Sequence, residues 1–188
     1  MLPIALHLLR HPRTGWTAIA AHPHTLSALA ARLILPGSFV SALAVTAGIT
    51  WFNHEWNADF GYSAPASRAL PIGLAMLTLS VIYTLVLAAV FTGIGRMYRS
   101  RASYMAALTL AAYGSLPVSI AGAFMFLMPA VLLAMLAFVY TCLLYNHGAH
   151  VLLHVAEAES SEFVAISLLL AAIAMTLFSM VASALRIL

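Results

Sequence analysis

Apolar residues in this chain come in long unbroken runs separated by short polar stretches, without the alternation of half-buried strands. A helix that crosses a bilayer needs about 20 apolar residues. Leu33 to Phe52 supplies one such run, with Pro36 expected in its opening turn, where a missing N–H is tolerated. Ala69 to Gly95 is a second. It is longer than a hydrocarbon core of about 30 Å requires, so it should tilt or begin late, near Pro71. From Ala102 to Ala156 there is no Asp, Glu, Lys or Arg, a stretch too long for one span. The pattern predicts two helices that fold back at Met128-Pro129, with Pro129 near the start of the fourth. Pro117 then lies inside the third helix, where it frees the carbonyl of Tyr113 and predicts a kink. Phe163 to Leu185 is the fifth run.

The expected fold is therefore all-α. It is a single domain over residues 1–188, a polytopic membrane protein with spans near 33–52, 69–95, 103–127, 129–149 and 163–185. Residues 1–31 read as an interfacial segment. Leu2 to Leu9 is too short to cross, and Arg10, Arg13 and Trp16 are expected at headgroup level. No basic stretch precedes an apolar run there, and no small-residue cleavage site follows, so no signal peptide is expected.

Composition narrows the class further. Apolar residues make up 64% of the 188 and charged residues 7%, against about 25% charged in soluble domains. So few charges cannot solvate the surface of a chain this size, which excludes a soluble enzyme, a secreted disulfide scaffold and a disordered protein. All eight basic residues are Arg, and they are scattered, so there is no nucleic-acid footprint. Cys142 is the only cysteine and cannot form an internal disulfide.

Arginine placement sets orientation. With five spans, Arg10, Arg13, Arg32, Arg96, Arg99 and Arg101 fall on one side, and Arg68 and Arg186 on the other. The N-terminus is expected in the cytoplasm and the C-terminus outside. The loop carrying Glu157, Glu159 and Glu162 is then cytoplasmic.

Several residues in order suggest a relative. His11-Pro12, Trp16 and Ile19 precede the first span, and Gly95-Arg96 closes the second. Ala112-Tyr113-Gly114-Ser115-Leu116-Pro117, Gly122, Pro129, Tyr140, Tyr145 and Gly148 follow. This order resembles the Ypt/Rab-interacting-protein (Yip) domain family, in its short bacterial inner-membrane branch, from about residue 8 to residue 187. The resemblance implies a five-span bundle with no catalytic motif. Its eukaryotic members are adaptors that bind small GTPases and each other, and carry a longer cytoplasmic N-terminal region. On this resemblance Tyr113, Pro117, Gly122, Pro129 and Gly148 are architectural residues, and Arg96 anchors the cytoplasmic face.

His147, His150, His154 and Glu157 form the sharpest chemical pattern. At about 100° per residue their spacing would place all four within a third of one helix surface. Neutral imidazoles suit Zn²⁺ and other first-row ions. Seven of the eight histidines fall at the same membrane face, His7, His11, His22 and His24 among them. The competing reading makes them boundary residues with an apolar body and a polar tip. Ala107, Ala111, Ser115, Ser119 and Ala123 form a small-residue stripe that lets helices approach closely, inside the bundle or in a homo-oligomer. Glu55 and Asp59 are four residues apart in a polar loop, which reads better as solvated than as an acid–base pair. No carboxylate lies at mid-depth in a span, which weighs against a proton-coupled pump.

The function expected is a non-enzymatic membrane adaptor without a cofactor. It acts through helix packing, the lipid bilayer and an unidentified membrane or cytoplasmic protein partner, with no nucleic acid. The alternative is a protein that binds or transports a divalent metal such as zinc through His147, His150, His154 and Glu157.

Overall fold

The computed structural model describes residues 2–22, 24–51, 66–100, 103–124 and 130–184. Every regular element among them is helical, as the long apolar runs require: only a helix satisfies its own backbone in hydrocarbon. Two short helices come first, α1 (Leu2–Arg10) and α2 (Pro12–Ala20). Next, α3 (Leu26–Leu29) passes through a π-helical turn (Ala30–Ile34) into α4 (Leu35–Trp51). A 3₁₀ turn (Ala66–Arg68) leads into α5 (Ala69–Met97). The remaining elements are α6 (Tyr104–Gly114), α7 (Leu116–Gly122), α8 (Ala130–Leu153) and α9 (Glu157–Ala184).

Among the described residues, five helical stretches are long and apolar enough to cross a bilayer: Leu26–Thr50, Ala69–Met97, Tyr104–Gly122, Leu132–Leu153 and Glu157–Phe178. Two of them begin earlier than the hydropathy pattern predicts. The first starts at Leu26, capped by Thr25, whose side chain accepts from the Ala28 N–H at 3.3 Å. Arg32 is exposed inside it and has stem enough to reach the headgroups. Pro36 is consequently ten residues into the span and not in its opening turn. The π turn just before it widens the helix where the proline ring would clash with the Arg32 carbonyl. The fifth helix starts at Glu157, so Glu157, Glu159 and Glu162 belong to its first turns and not to a loop. Carboxylates are favoured there by the positive end of the helix dipole.

The third span is divided at Ser115, with Pro117 buried in the first turn of α7. Its partners explain the small-residue stripe. Ala107 and Ala111 are fully buried in the core that α8 shares. Further along, a Cβ on Gly37 would lie 3.3 Å from Ser119 Oγ, and one on Gly122 would lie 2.8 Å from Ser41 Oγ. Glycine and serine thus alternate across the α4–α7 crossing, which is how backbones approach in lipid. The proposed reversal at Pro129, and the Glu55 and Asp59 loop, lie outside the described residues.

The core is aromatic at its centre. Phe91 of α5 meets Tyr145 of α8 edge-on at 5.3 Å and stacks on Phe163 of α9 at 5.6 Å, while Tyr98 meets Phe163 edge-on at 5.7 Å. The outer faces of α5, α8 and α9 expose Leu70, Leu74, Leu132, Leu136, Leu169 and Leu177, as lipid-facing surfaces should.

Candidate functional site

The N-terminal segment folds back on itself and packs against the bundle. His11 reverses the chain and Pro12 opens α2 at N1, where its missing N–H costs nothing. α1 and α2 fold against each other around Gly15: a Cβ there would lie 2.6 Å from Leu8 Cα, a backbone atom that cannot yield. Only glycine permits this crossing. The resulting hairpin has two faces. Ala5, Leu8, Trp16 and Ile19 are buried, whereas His7, Arg10, His11, Arg13, Thr14 and Thr17 are exposed.

The buried face docks on α8, with Trp16 at its centre. The sequence places Trp16 at the headgroup boundary; the structure encloses it completely, at 0% exposure. Its indole rests on Gly148. A Cβ on Gly148 would lie 2.8 Å from Trp16 Cε2 and Cζ2, and closer still to Leu110 Cδ1. Gly148 is therefore the seat on which the hairpin is fastened. Full burial of a leucine or isoleucine such as Leu8 and Ile19 is worth about 1.5–3 kcal/mol each against water. A second tie is polar: the Tyr140 hydroxyl donates to the Leu9 carbonyl at 2.7 Å. Leu9 lies in the last turn of α1, where carbonyls lack intrahelical partners, so this bond caps α1 from α8.

The seat is itself braced. Tyr145, one turn before Gly148, presses its ring on Gly114, where a Cβ would meet Tyr145 Cδ1 at 2.5 Å. Its hydroxyl donates to the Ala111 carbonyl at 3.3 Å. Tyr113 is fully buried and its hydroxyl lies 3.3 Å from His24 Nε2, with the rings 5.5 Å apart. This pair joins the entry to the first span to the third. Burial lowers the His24 pKa below the ordinary imidazole value, and neighbouring His22 lowers it further. Arg96 is exposed in the last turn of α5, where a cation suits the negative end of the helix.

The four residues read as a metal set are not brought together. α8 ends at Leu153, and His154 turns the chain with φ 57°, so the helix that would have aligned them does not continue to Glu157. His154 faces a recess with His22, His24, Ser103 and Thr109, while His147, His150 and Glu157 line another with Arg13. His147 Nδ1 donates to the Leu143 carbonyl at 2.9 Å, and His150 Nδ1 to the Val155 carbonyl at 3.0 Å. His150 thereby helps to close the α8–α9 turn. Among the described residues, no group of three or more His, Cys, Asp or Glu could hold a metal ion. The metal alternative gains no support from this arrangement.

On the same turn, the Ser100 hydroxyl donates to the Leu153 carbonyl at 2.5 Å. Burial, then a hydrogen bond to Glu162, raises the Tyr98 phenol pKa. The end of α5 is thus held to the start of α9.

No curated protein and no solved structure gives a significant match to this chain. A family model does: that of the Yip1 domain matches residues 6–180. The match takes in the hairpin from Leu6 onward, the Gly148 seat and all five spans.

Proposed function

This chain belongs to the Yip1 domain family, and we propose on that premise that it is a non-enzymatic adaptor of the bacterial inner membrane. Its N-terminus is cytoplasmic and its C-terminus outside, the orientation that puts six of eight arginines on the cytoplasmic face. The spans hold the protein in lipid, and the docked hairpin is the part that meets a protein partner.

One observation carries this reading. The hairpin buries Leu8, Trp16 and Ile19 against the bundle and leaves Arg10, Arg13, Thr14 and Thr17 exposed. A segment fastened this firmly by one face holds the other at a fixed height and angle, as a recognition surface requires. Its cationic, hydroxyl-bearing chemistry suits an acidic partner surface.

Photo-crosslinking residues placed at Thr14 and Thr17 in native membranes test it. A discrete protein adduct is expected from these positions and none from lipid-facing Leu132 or Leu136. Equal diffuse labelling from all four positions would contradict the adaptor role.

A further inference from the structure

Where the fourth span ends and the fifth begins, a recess of about 340 Å³ opens beside the hairpin. Pockets that hold small ligands run from about 300 to 1,000 Å³. Arg13 of α2, Asn146, His147 and His150 of α8, and Glu157 and Ser160 of α9 line it. The ends of two spans place it at the depth of lipid headgroups.

The hydrogen bonds fix what these groups can offer. The Ser160 hydroxyl reaches both Asn146 Oδ1 and, at 2.8 Å, the Glu157 carbonyl; with the amide oxygen turned to Ser160, the Asn146 NH₂ is left to donate into the recess. His147 and His150 each use Nδ1 as a donor to a carbonyl, and in that tautomer Nε2 is the acceptor. Arg13 contributes a fork of donors with positive charge, and Glu157 a carboxylate. The recess therefore holds one cationic donor group with an amide NH₂ beside it. It also holds three acceptors, one of them anionic.

We propose that this recess binds a phosphate ester that carries a primary amine, the chemistry of a phosphoethanolamine headgroup. The phosphate takes the Arg13 guanidinium and the Asn146 amide. The ammonium pairs with the Glu157 carboxylate and donates a further N–H to one imidazole Nε2 of the same wall, that of His147 or His150. A quaternary ammonium has no N–H to give them, and among the described residues no Trp, Tyr or Phe lines the recess to cage one. A glycerol headgroup has no positive charge for Glu157.

The test is native mass spectrometry of the full chain, released from nanodiscs with equal phosphatidylethanolamine, phosphatidylglycerol and phosphatidylcholine. The wild type should keep the ethanolamine lipid about tenfold over the other two. Arg13→Gln should lose that adduct. Glu157→Gln should reverse the preference toward the glycerol lipid, a gain that misfolding cannot produce. Glycerophosphoethanolamine, which lacks acyl chains, separates the sources. If it displaces the lipid, or binds where the lipid does not, the headgroup chemistry stands and a soluble ester is a source; if the lipid alone binds, the source is the membrane. Equal adducts of all three lipids, or preferences unchanged in both variants, would overturn the assignment.

Discussion

Gly148→Ala adds one methyl group at the point where the hairpin meets the bundle. That carbon would lie 2.8 Å from two atoms of the Trp16 indole, against about 3.5–4.0 Å for an ordinary carbon contact. The ring must retreat by about 0.7–1.2 Å to restore that spacing. It has nowhere to retreat: Trp16, Leu110 and Ala149 are all at 0% exposure. Overpacking of an enclosed site costs about 1–3 kcal/mol, which is about a 5- to 140-fold shift of the docking equilibrium. With Trp51 and Trp56 changed to Phe, Trp16 is the sole indole emitter. Gly148→Ala should redden its emission and raise its quenching by acrylamide, with an earlier denaturation midpoint. In a Trp16→Ala background the glycine change should cost less, with a coupling above about 0.5 kcal/mol. Unchanged quenching and midpoint in Gly148→Ala would refute the seat.

Tyr140→Phe deletes the bond to the Leu9 carbonyl; it should cost about 0.5–1.5 kcal/mol and speed amide hydrogen exchange in α1 more than in α5. Gly114→Ala drives a methyl into the Tyr145 ring and should destabilise by about 1–3 kcal/mol, read as a lower thermal midpoint in detergent. His24 binds its proton less readily in the fold than in the unfolded chain, so its contribution is complete above the ordinary imidazole pKa and is lost as pH falls below it. The wild type should therefore lose stability through mildly acidic pH, and a His24→Phe variant should show a flatter profile over the same range.

The spans were legible because hydropathy integrates over a whole crossing. The ends were less so. Arg32 reads as a terminus, yet Thr25 caps the helix seven residues earlier and the long arginine stem bridges the difference. The hairpin is hard to read in the sequence for a related reason. α1 and α2 have nine residues each, and Arg10 and Arg13 dilute any long window across them. The available signal was finer: Leu8, Gly15, Trp16 and Ile19 recur at helical spacing around Pro12. Gly148 and Tyr113 stood out within a family pattern, but nothing in the sequence pairs Gly148 with Trp16 or Tyr113 with His24, since those contacts join residues far apart in the chain. The histidine pattern misled because spacing assumes a continuous helix, and a left-handed residue at His154 ends it.

The adaptor reading requires that a partner meet the hairpin while it is docked. Photo-crosslinking from Thr14, compared between wild type and Gly148→Leu at equal membrane abundance, tests that requirement most directly. A discrete adduct in the wild type that disappears when Trp16 is levered from its seat is the predicted result. The same adduct in both proteins, or none in the wild type, would contradict it.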